Sequence, residues 1–261
     1  MAFEDVGASI PSCNDVGIAQ PRTALVGMPS MEQLQMMASA AGVVVQTMAE
    51  LAARGSQVVA DLLAISGDGF VEWAHYPADD ARDAMQSSRY FYHAHAGPGR
   101  LASEHGHFHL FLDKGAVQRS EPLEMDPLDQ NPSTADLVHL VGIVMNPFGQ
   151  PLALFTTNRW VTNETWHPAA DVIAALAHFA MSSPDTPANR WITGMIRLFR
   201  PQIEALLYER DRAVAAWAKD HPETFVLEDR RLEVTSIIAV SLADHIHALD
   251  EQLVRLGLSA G

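Results

Sequence analysis

Two apolar runs around a tight turn constrain the fold of this chain more than any other feature. Residues 137–160, LVHLVGIVMNPFGQPLALFTTNRW, place the turn residues Asn146, Pro147 and Gly149 between two stretches rich in aliphatic and β-branched side chains. This pattern is typical of two antiparallel strands joined by a short turn. The sequence therefore predicts a β-hairpin here.

A further strand is predicted at residues 104–114, EHGHFHLFLDK, where polar and apolar side chains alternate. Successive side chains of a strand point to opposite faces. One face would carry Gly106, Phe108, Leu110 and Leu112, and the other His105, His107, His109 and Phe111.

Apolar residues have helical spacing before and after these strands in the sequence, which predicts helices there, with a break near Gly55 in the first helical segment. Pro77 followed by acidic residues indicates another helix start. The expected helical segments are residues 30–65, 77–95, 168–181, 189–219 and 232–256. We therefore expect an α+β fold: a small antiparallel sheet of at least three strands, flanked by helices, with a helical C-terminal part.

The chain is predicted to form one domain after a short leader. Residues 1–28 are polar and interrupted by proline and glycine, so we expect a loosely ordered leader. Residues 29–261 would form a single α+β domain with its C-terminal helices packed as a sub-bundle. Residues 115–136 are acidic, contain three prolines and are expected to form a long surface loop.

The charge balance limits the classes of partner. The chain has 17 Lys and Arg against 32 Asp and Glu, a net charge of −15, which disfavours nucleic acid and anionic membranes. No uninterrupted run of about 20 apolar residues occurs, and the acidic N-terminus does not resemble a signal peptide. We expect a cytoplasmic bacterial protein that acts on a small molecule, with a homodimer as one option for its assembly.

Histidines are concentrated in one part of the chain. Of 12 histidines, seven lie between positions 75 and 139: His75, His93, His95, His105, His107, His109 and His139. Imidazole is a common ligand of Fe, Cu and Zn. Alternate strand residues are about 6.5–7 Å apart and the outer two of three about 13 Å, so one ion is expected to bind His105 with His107 or His107 with His109.

The remaining ligands are expected from outside that strand. His93 and His95 are separated from it by a loop, and His139 begins a neighbouring strand, on the same side as Val141 and Ile143. Metal-bound imidazoles need an acceptor for their second nitrogen, which Glu104, Asp113 or Glu164 would provide. A bend at Gly106 would bring all three strand histidines to one ion.

Two resemblances follow from these motifs. His105-Gly106-His107-Phe108-His109-Leu110-Phe111 resembles the signature of histidine-triad nucleotide hydrolases and transferases, which implies His107 as nucleophile, with His105 and His109 orienting it and protonating the leaving group. The segments WAHYPADDARDAMQSSRYFYHAH, EHGHFHLF and TTNRWVTNETW together resemble an uncharacterised bacterial domain-of-unknown-function family. The second resemblance implies one structural unit over residues 70–210.

The leading hypothesis is a metal-dependent enzyme with a transition metal, Fe, Cu or Zn, on the histidine strand; haem held by one of these histidines is a further option. Metal-free nucleotidyl or phosphoryl transfer and a non-catalytic metal or haem carrier or sensor are the alternatives. The candidate catalytic residues are His107, Glu104 and Arg159. Tyr92 and Trp160 are candidates for binding the cofactor, because aromatic rings and a neighbouring arginine suit a ligand pocket.

Overall fold

The computed structural model describes residues 29–66, 70–95, 101, 103–120 and 135–258. Its described part contains one six-stranded antiparallel sheet in which the strands follow chain order. The strands are β1 (Tyr76–Asp83), β2 (Ser88–His93), β3 (Gly106–Asp113), β4 (Leu137–Met145), β5 (Pro151–Thr157) and β6 (Val234–Ala239). The predicted leader, residues 1–28, and most of the predicted acidic loop, residues 121–134, lie outside the described residues.

Helices come before and after the first five strands. They are α1 (Met31–Ala53), α2 (Val58–Ser66), α3 (Arg159–Thr162), α4 (Ala169–Ala175), α5 (Pro187–Leu198), α6 (Arg200–Asp220) and α7 (Leu242–Arg255), with short 3-10 turns at Lys114–Ala116, Leu176–His178 and Val226–Glu228. The α+β prediction is confirmed. So is the break after α1, where Gly55 has a φ of +69°.

The predicted helix over residues 77–95 is wrong: these residues form the β1–β2 hairpin. Pro77 and the acids after it are a local helix-start signal, but SRYFYH in β2 has period two, with Ser88, Tyr90 and Tyr92 buried. Asp83 stabilises the turn because its carboxylate accepts the amides of Met85 and Gln86, both at 3.1 Å. Burial of one strand face outweighed the local helix signal.

The predicted final helix, residues 232–256, is also partly wrong. Its first part, Val234–Ala239, is β6, which pairs with β5 and carries the β-branched residues that favour strands. The helix α7 begins after Ser241, whose hydroxyl accepts the amide of Asp244 and so caps the helix.

The two faces of the sheet have different roles. Tyr90, Tyr92, Phe108 and Leu110 on one face join a buried core that also contains residues of α1, α2, α4, α5, α6 and α7. Helices from both ends of the sequence therefore cover one face. Alternation directs the side chains of the intervening positions, including His93, His107 and His109, to the other face.

One helix in the described part of the chain, α1, is long and apolar enough to cross a membrane. Core helices of soluble proteins pass the same test, and one such helix is weak evidence for a membrane span. Leu34, Met37, Val44 and Leu51 of this helix are buried in the common core.

A glycine permits close packing on the sheet face that carries His93, His107 and His109, which we call the histidine face. Gly142 of β4 lies opposite Phe155 of β5, and a Cβ atom at Gly142 would lie 2.2 Å from the Phe155 ring. The Phe155 ring in turn has its centroid 5.4 Å from that of His107 and 5.5 Å from that of His109. The missing side chain therefore lets Phe155 form a wall against these histidines.

We expect Gly142→Ala to lower the free energy of unfolding by about 1–3 kcal/mol, because overpacking forces the Phe155 ring and the strands to shift. Chemical denaturation measures this change. Gly42→Ala is the matched control: Gly42 lies in α1, where a Cβ atom would meet nothing within 4 Å. There the same substitution should be neutral or stabilise the helix; equal effects of the two changes would contradict the packing argument.

Candidate metal centre

Three histidine side chains converge where β2 ends and β3 begins. His93, His95 and His107 each place one ring nitrogen so that the three nitrogens lie within 4.8 Å of one another. His93 and His107 are directly opposite in the β2–β3 register, and their Nε2 atoms are 2.7 Å apart. Antiparallel pairing therefore brings together residues 14 positions apart in sequence.

The second nitrogen of His107 is held by a carboxylate. Nδ1 of His107 lies 3.0 Å from Oε1 of Glu104, and both side chains are almost fully buried. A carboxylate accepts a hydrogen bond from Nδ1–H, and the tautomer with its hydrogen on Nδ1 directs the lone pair of Nε2 towards His93. This is the arrangement by which metal-binding imidazoles are oriented in proteins.

Gly106 permits the close approach of the two strands. A Cβ atom at Gly106 would lie 2.5 Å from the carbonyl oxygen of His93, 2.6 Å from the Tyr92 hydroxyl and 2.7 Å from the Ala94 Cβ. The sequence predicted a bend here that would recruit all three strand histidines. In the structure, Gly106 instead lets the end of β2 lie against β3.

His105 does not lie with His107, contrary to the prediction of three histidines on one face. Its Nδ1 lies 2.5 Å from the hydroxyl of Tyr92, a core-face residue, and its ring contacts Phe70. The strand begins only at Gly106, so strand alternation does not fix the direction of His105. Tyr92 therefore contacts His105 rather than the three-histidine group.

His139 lies on the histidine face because of a bulge in β4. The prediction put it on the same side as Val141, but the register shifts between Leu110 and Phe111, so that Val141 pairs with Leu110 and His139 with Phe111. An extra residue in one strand changes which face its neighbours occupy. Nε2 of His139 then lies 3.1 Å from Nδ1 of His109.

His109 and His139 form a buried layer beside the three-histidine group. The His109 ring centroid is 5.0 Å from that of His107 and 5.3 Å from that of His93. Burial lowers the pKa of His139 to about 3, and burial with the neighbouring histidines lowers the pKa of His109 well below its usual value. Both rings are therefore neutral at pH 7.

A buried carboxyl group supports this layer from the other side. Oε2 of Glu164 accepts the backbone amide of His139 at 2.7 Å, and burial raises the pKa of Glu164 to about 7. The sequence predicted Glu164 as an acceptor for a second imidazole nitrogen. It holds the His139 backbone instead.

Aromatic rings enclose the group. Trp73 stacks on His95 with centroids 3.7 Å apart, and Phe91 stacks on His75 at the same distance. Nδ1 of His75 is 2.9 Å from Oδ1 of Asp80. The sequence pattern counted His75 in the histidine cluster but indicated neither Trp73 nor His75 as a site residue. Both precede the segment that was predicted as a helix, and only the β1–β2 pairing brings them to this edge.

Comparison with known proteins places the chain in a family. A family model described as a domain of unknown function, DUF6969, matches residues 38–240. The chain belongs to this family. No curated protein and no solved structure matches it.

The DUF6969 match confirms the resemblance to an uncharacterised domain family and extends over β1 to β6. It therefore includes every histidine of the three-residue group and the layer beside it.

Arg159 and Trp160, the other candidates from the sequence, lie in a different junction of the DUF6969 domain. Arg159 donates to Glu228 through Nε at 3.0 Å and lies over the Phe225 ring. The Trp160 indole donates to the carbonyl of Leu232 at 2.9 Å. These contacts join the start of α3 to the segment before β6, so both residues have a structural explanation.

The buried neutral histidines predict acid sensitivity. The pKa of His139 is 6.5 when unperturbed and about 3 in the folded DUF6969 domain, so between these values the unfolded chain binds more protons. The contribution of His139 to stability is therefore complete above about pH 7 and falls as the pH drops below 6.5. His139 alone should remove about 2 kcal/mol of the free energy of unfolding between pH 7 and pH 5.

Denaturation of wild type and His139→Gln at both pH values, with chelator present, measures this contribution. Glu164 acts with the opposite sign, because its raised pKa favours the folded state as the pH falls towards 5. The difference between the two proteins isolates His139, provided that Glu164 titrates alike in both. A variant that loses as much stability as wild type would contradict this assignment.

Proposed function

We propose that this protein is a metal-dependent enzyme that binds a transition metal ion through His93, His95 and His107 and acts on a small molecule. The observation that carries the proposal is the convergence of three imidazole nitrogens within 4.8 Å, one of them on a ring oriented by Glu104.

The donor set fits a transition metal. Histidine nitrogens bind Zn²⁺ at about 2.0–2.1 Å, so two ligands of a tetrahedral ion are about 3.3 Å apart. The Nε2 atoms of His93 and His107, now 2.7 Å apart, need to separate by about 0.6 Å to reach this value. Imidazole ligands without thiolates suit Zn, Fe or Cu, whereas Mg and Ca prefer oxygen.

The number of ligands favours catalysis over a structural role. Structural zinc sites are closed by four protein ligands, whereas catalytic sites have three and keep one position open. The described part of the chain brings three histidines together. An ion held this way would act as a Lewis acid and keep one position open for water or substrate. Zinc would suit hydrolysis, whereas iron or copper would suit redox chemistry.

The residues around the group have defined roles in this proposal. Glu104 positions His107, and the Trp73 and Phe155 rings restrict the directions that the His95 and His107 rings can take. Because His109 and His139 are neutral, they add no positive charge next to the ion. These groups hold the three ligands in place before the ion binds, which lowers the cost of ordering them.

Elemental analysis of protein purified without a histidine tag tests the proposal. We expect about one equivalent of a transition metal, lost in His107→Ala because a two-histidine remainder binds ions far more weakly. His178→Ala is the matched control, since His178 is exposed at the end of the Leu176–His178 turn. Wild-type protein that stays metal-free after incubation with Zn²⁺, Fe²⁺ and Cu²⁺ would rule the proposal out.

A second variant tests the carboxylate. We expect Glu104→Gln to weaken metal binding about 10- to 100-fold, because the acceptor on the second nitrogen of His107 orients the ring and raises its basicity. Competition with a chromophoric chelator measures the dissociation constant. Asp113→Asn is the control, because it makes the same carboxylate-to-amide change at the far end of β3 and should leave the affinity unchanged. A similar loss of affinity in both variants would argue for a general charge effect.

A further inference from the structure

Three exposed apolar side chains precede β1, and one of them, Trp73, lies beside the three-histidine group. Phe70, Val71 and Trp73 are 44%, 57% and 62% exposed, and they come from the short segment before β1. The Trp73 ring stacks on His95 at 3.7 Å, and the Phe70 ring is 5.4 Å from that of His105. Because His95 covers one face of the indole, the exposed area of Trp73 belongs to its other face and its edges.

Hydrogen bonds donated by backbone amides hold this segment in place. The Val71 amide donates to the Tyr76 hydroxyl at 2.6 Å, and the Trp73 amide donates to the Ala94 carbonyl at 2.9 Å. The Ala74 amide donates to the Val71 carbonyl at 3.3 Å and closes a turn. The exposed rings are thus presented by an ordered backbone.

The turn places a tryptophan where its backbone is unfavourable. Trp73 has a φ of +67°, in the left-handed region that glycine and asparagine occupy most easily. A large, exposed side chain gains little from burial that would compensate for this strain. Such local outliers cluster at ligand-binding sites, where a surrounding structure holds them.

We propose that Phe70, Val71 and Trp73 form an apolar recognition surface for the metal site. The proposal rests on the function proposed above and names its ligand class: a small molecule in which a planar apolar group is joined to a metal-binding nitrogen or oxygen. The donor atom takes the open position on the ion, and the planar group stacks on the outer face of Trp73. An aromatic ring offers a large, rigid contact for such a group.

The size of the surface fits a small molecule better than a protein. Stable protein interfaces bury about 800 Å² on each partner and involve about 20–30 residues a side. Three neighbouring side chains do not approach that area. A single planar group stacked on Trp73 matches the area that one exposed indole face offers.

Two probe ligands that differ by one ring test the proposal. Imidazole and 4-phenylimidazole are titrated into the Co²⁺-loaded protein, and the visible spectrum of the ion reports coordination. We expect 4-phenylimidazole to bind about tenfold more tightly than imidazole, the gain that a well-stacked aromatic pair gives. In Trp73→Ala the two affinities should become similar. The ratio of the two affinities is compared within each protein, because Trp73 also orients His95 and its loss alters the binding of both ligands alike.

Two further variants complete the test. Trp73→Phe keeps an aromatic ring and should retain part of the preference, even if Trp73→Ala disturbs the turn. Met85→Ala removes an 89% exposed apolar side chain at the other end of β2 and should keep the full preference.

Several outcomes overturn this inference and leave the proposed function standing. One is Co²⁺ binding with equal affinity for the two ligands, and another is a preference that persists in Trp73→Ala. A third is a dimer, seen by sedimentation, that Trp73→Ala dissociates, because the surface would then bind a second copy of the chain. Failure to bind any metal ion would instead refute the proposed function itself.

Discussion

The antiparallel pairing of β2 with β3 is the interaction on which the site depends. It places His93 directly opposite His107, and Gly106 lets the end of β2 approach closely enough for their nitrogens to meet. Neither residue has such a neighbour in its own strand, since alternate residues of one strand are about 6.5–7 Å apart. In the proposed metal site, two ligands would therefore come from a cross-strand pair, the closest side-chain relation that a sheet offers.

The same two strands also anchor the helices. Tyr92 and Phe108, adjacent to the paired histidines, are fully buried against the helical layer. A slip of one residue in register would exchange the faces and direct the histidines into the apolar core. The burial that holds the register in place therefore also holds His93 and His107 in their relative positions.

The sequence predicted those parts of the molecule that are governed by local pattern. The β4–β5 hairpin, the strand character of β3 and the α+β class follow from alternation and turn residues, and the acidic residue beside His107 was among the candidate acceptors. The segment of residues 77–95 was predicted as a helix because Pro77 and its acids are strong local signals, whereas the period-two pattern of β2 is only six residues long.

The details of the site depended on events outside that pattern. His105 precedes the first strand residue, so its side chain was free to turn to Tyr92. His139 changed face because β4 contains an extra residue. The role of Trp73 is set by a turn and by stacking on His95, two contacts between segments that no periodicity joins. Cross-strand and loop contacts of this kind are encoded only in the complete fold.

The division of the sheet into a helix-covered face and a histidine-bearing face has an evolutionary consequence. Along β2 and β3, every second codon specifies a side chain packed against the helices, and the codons between them specify the side chains of the histidine face. Mutations at the second kind of codon would change the histidine face while leaving the helix-packed core intact, so the proposed metal site would be open to change on an unchanged scaffold. Gly106 is an exception, because its missing side chain is needed for contacts on both faces of the sheet. Substitutions at this position are therefore constrained for two reasons.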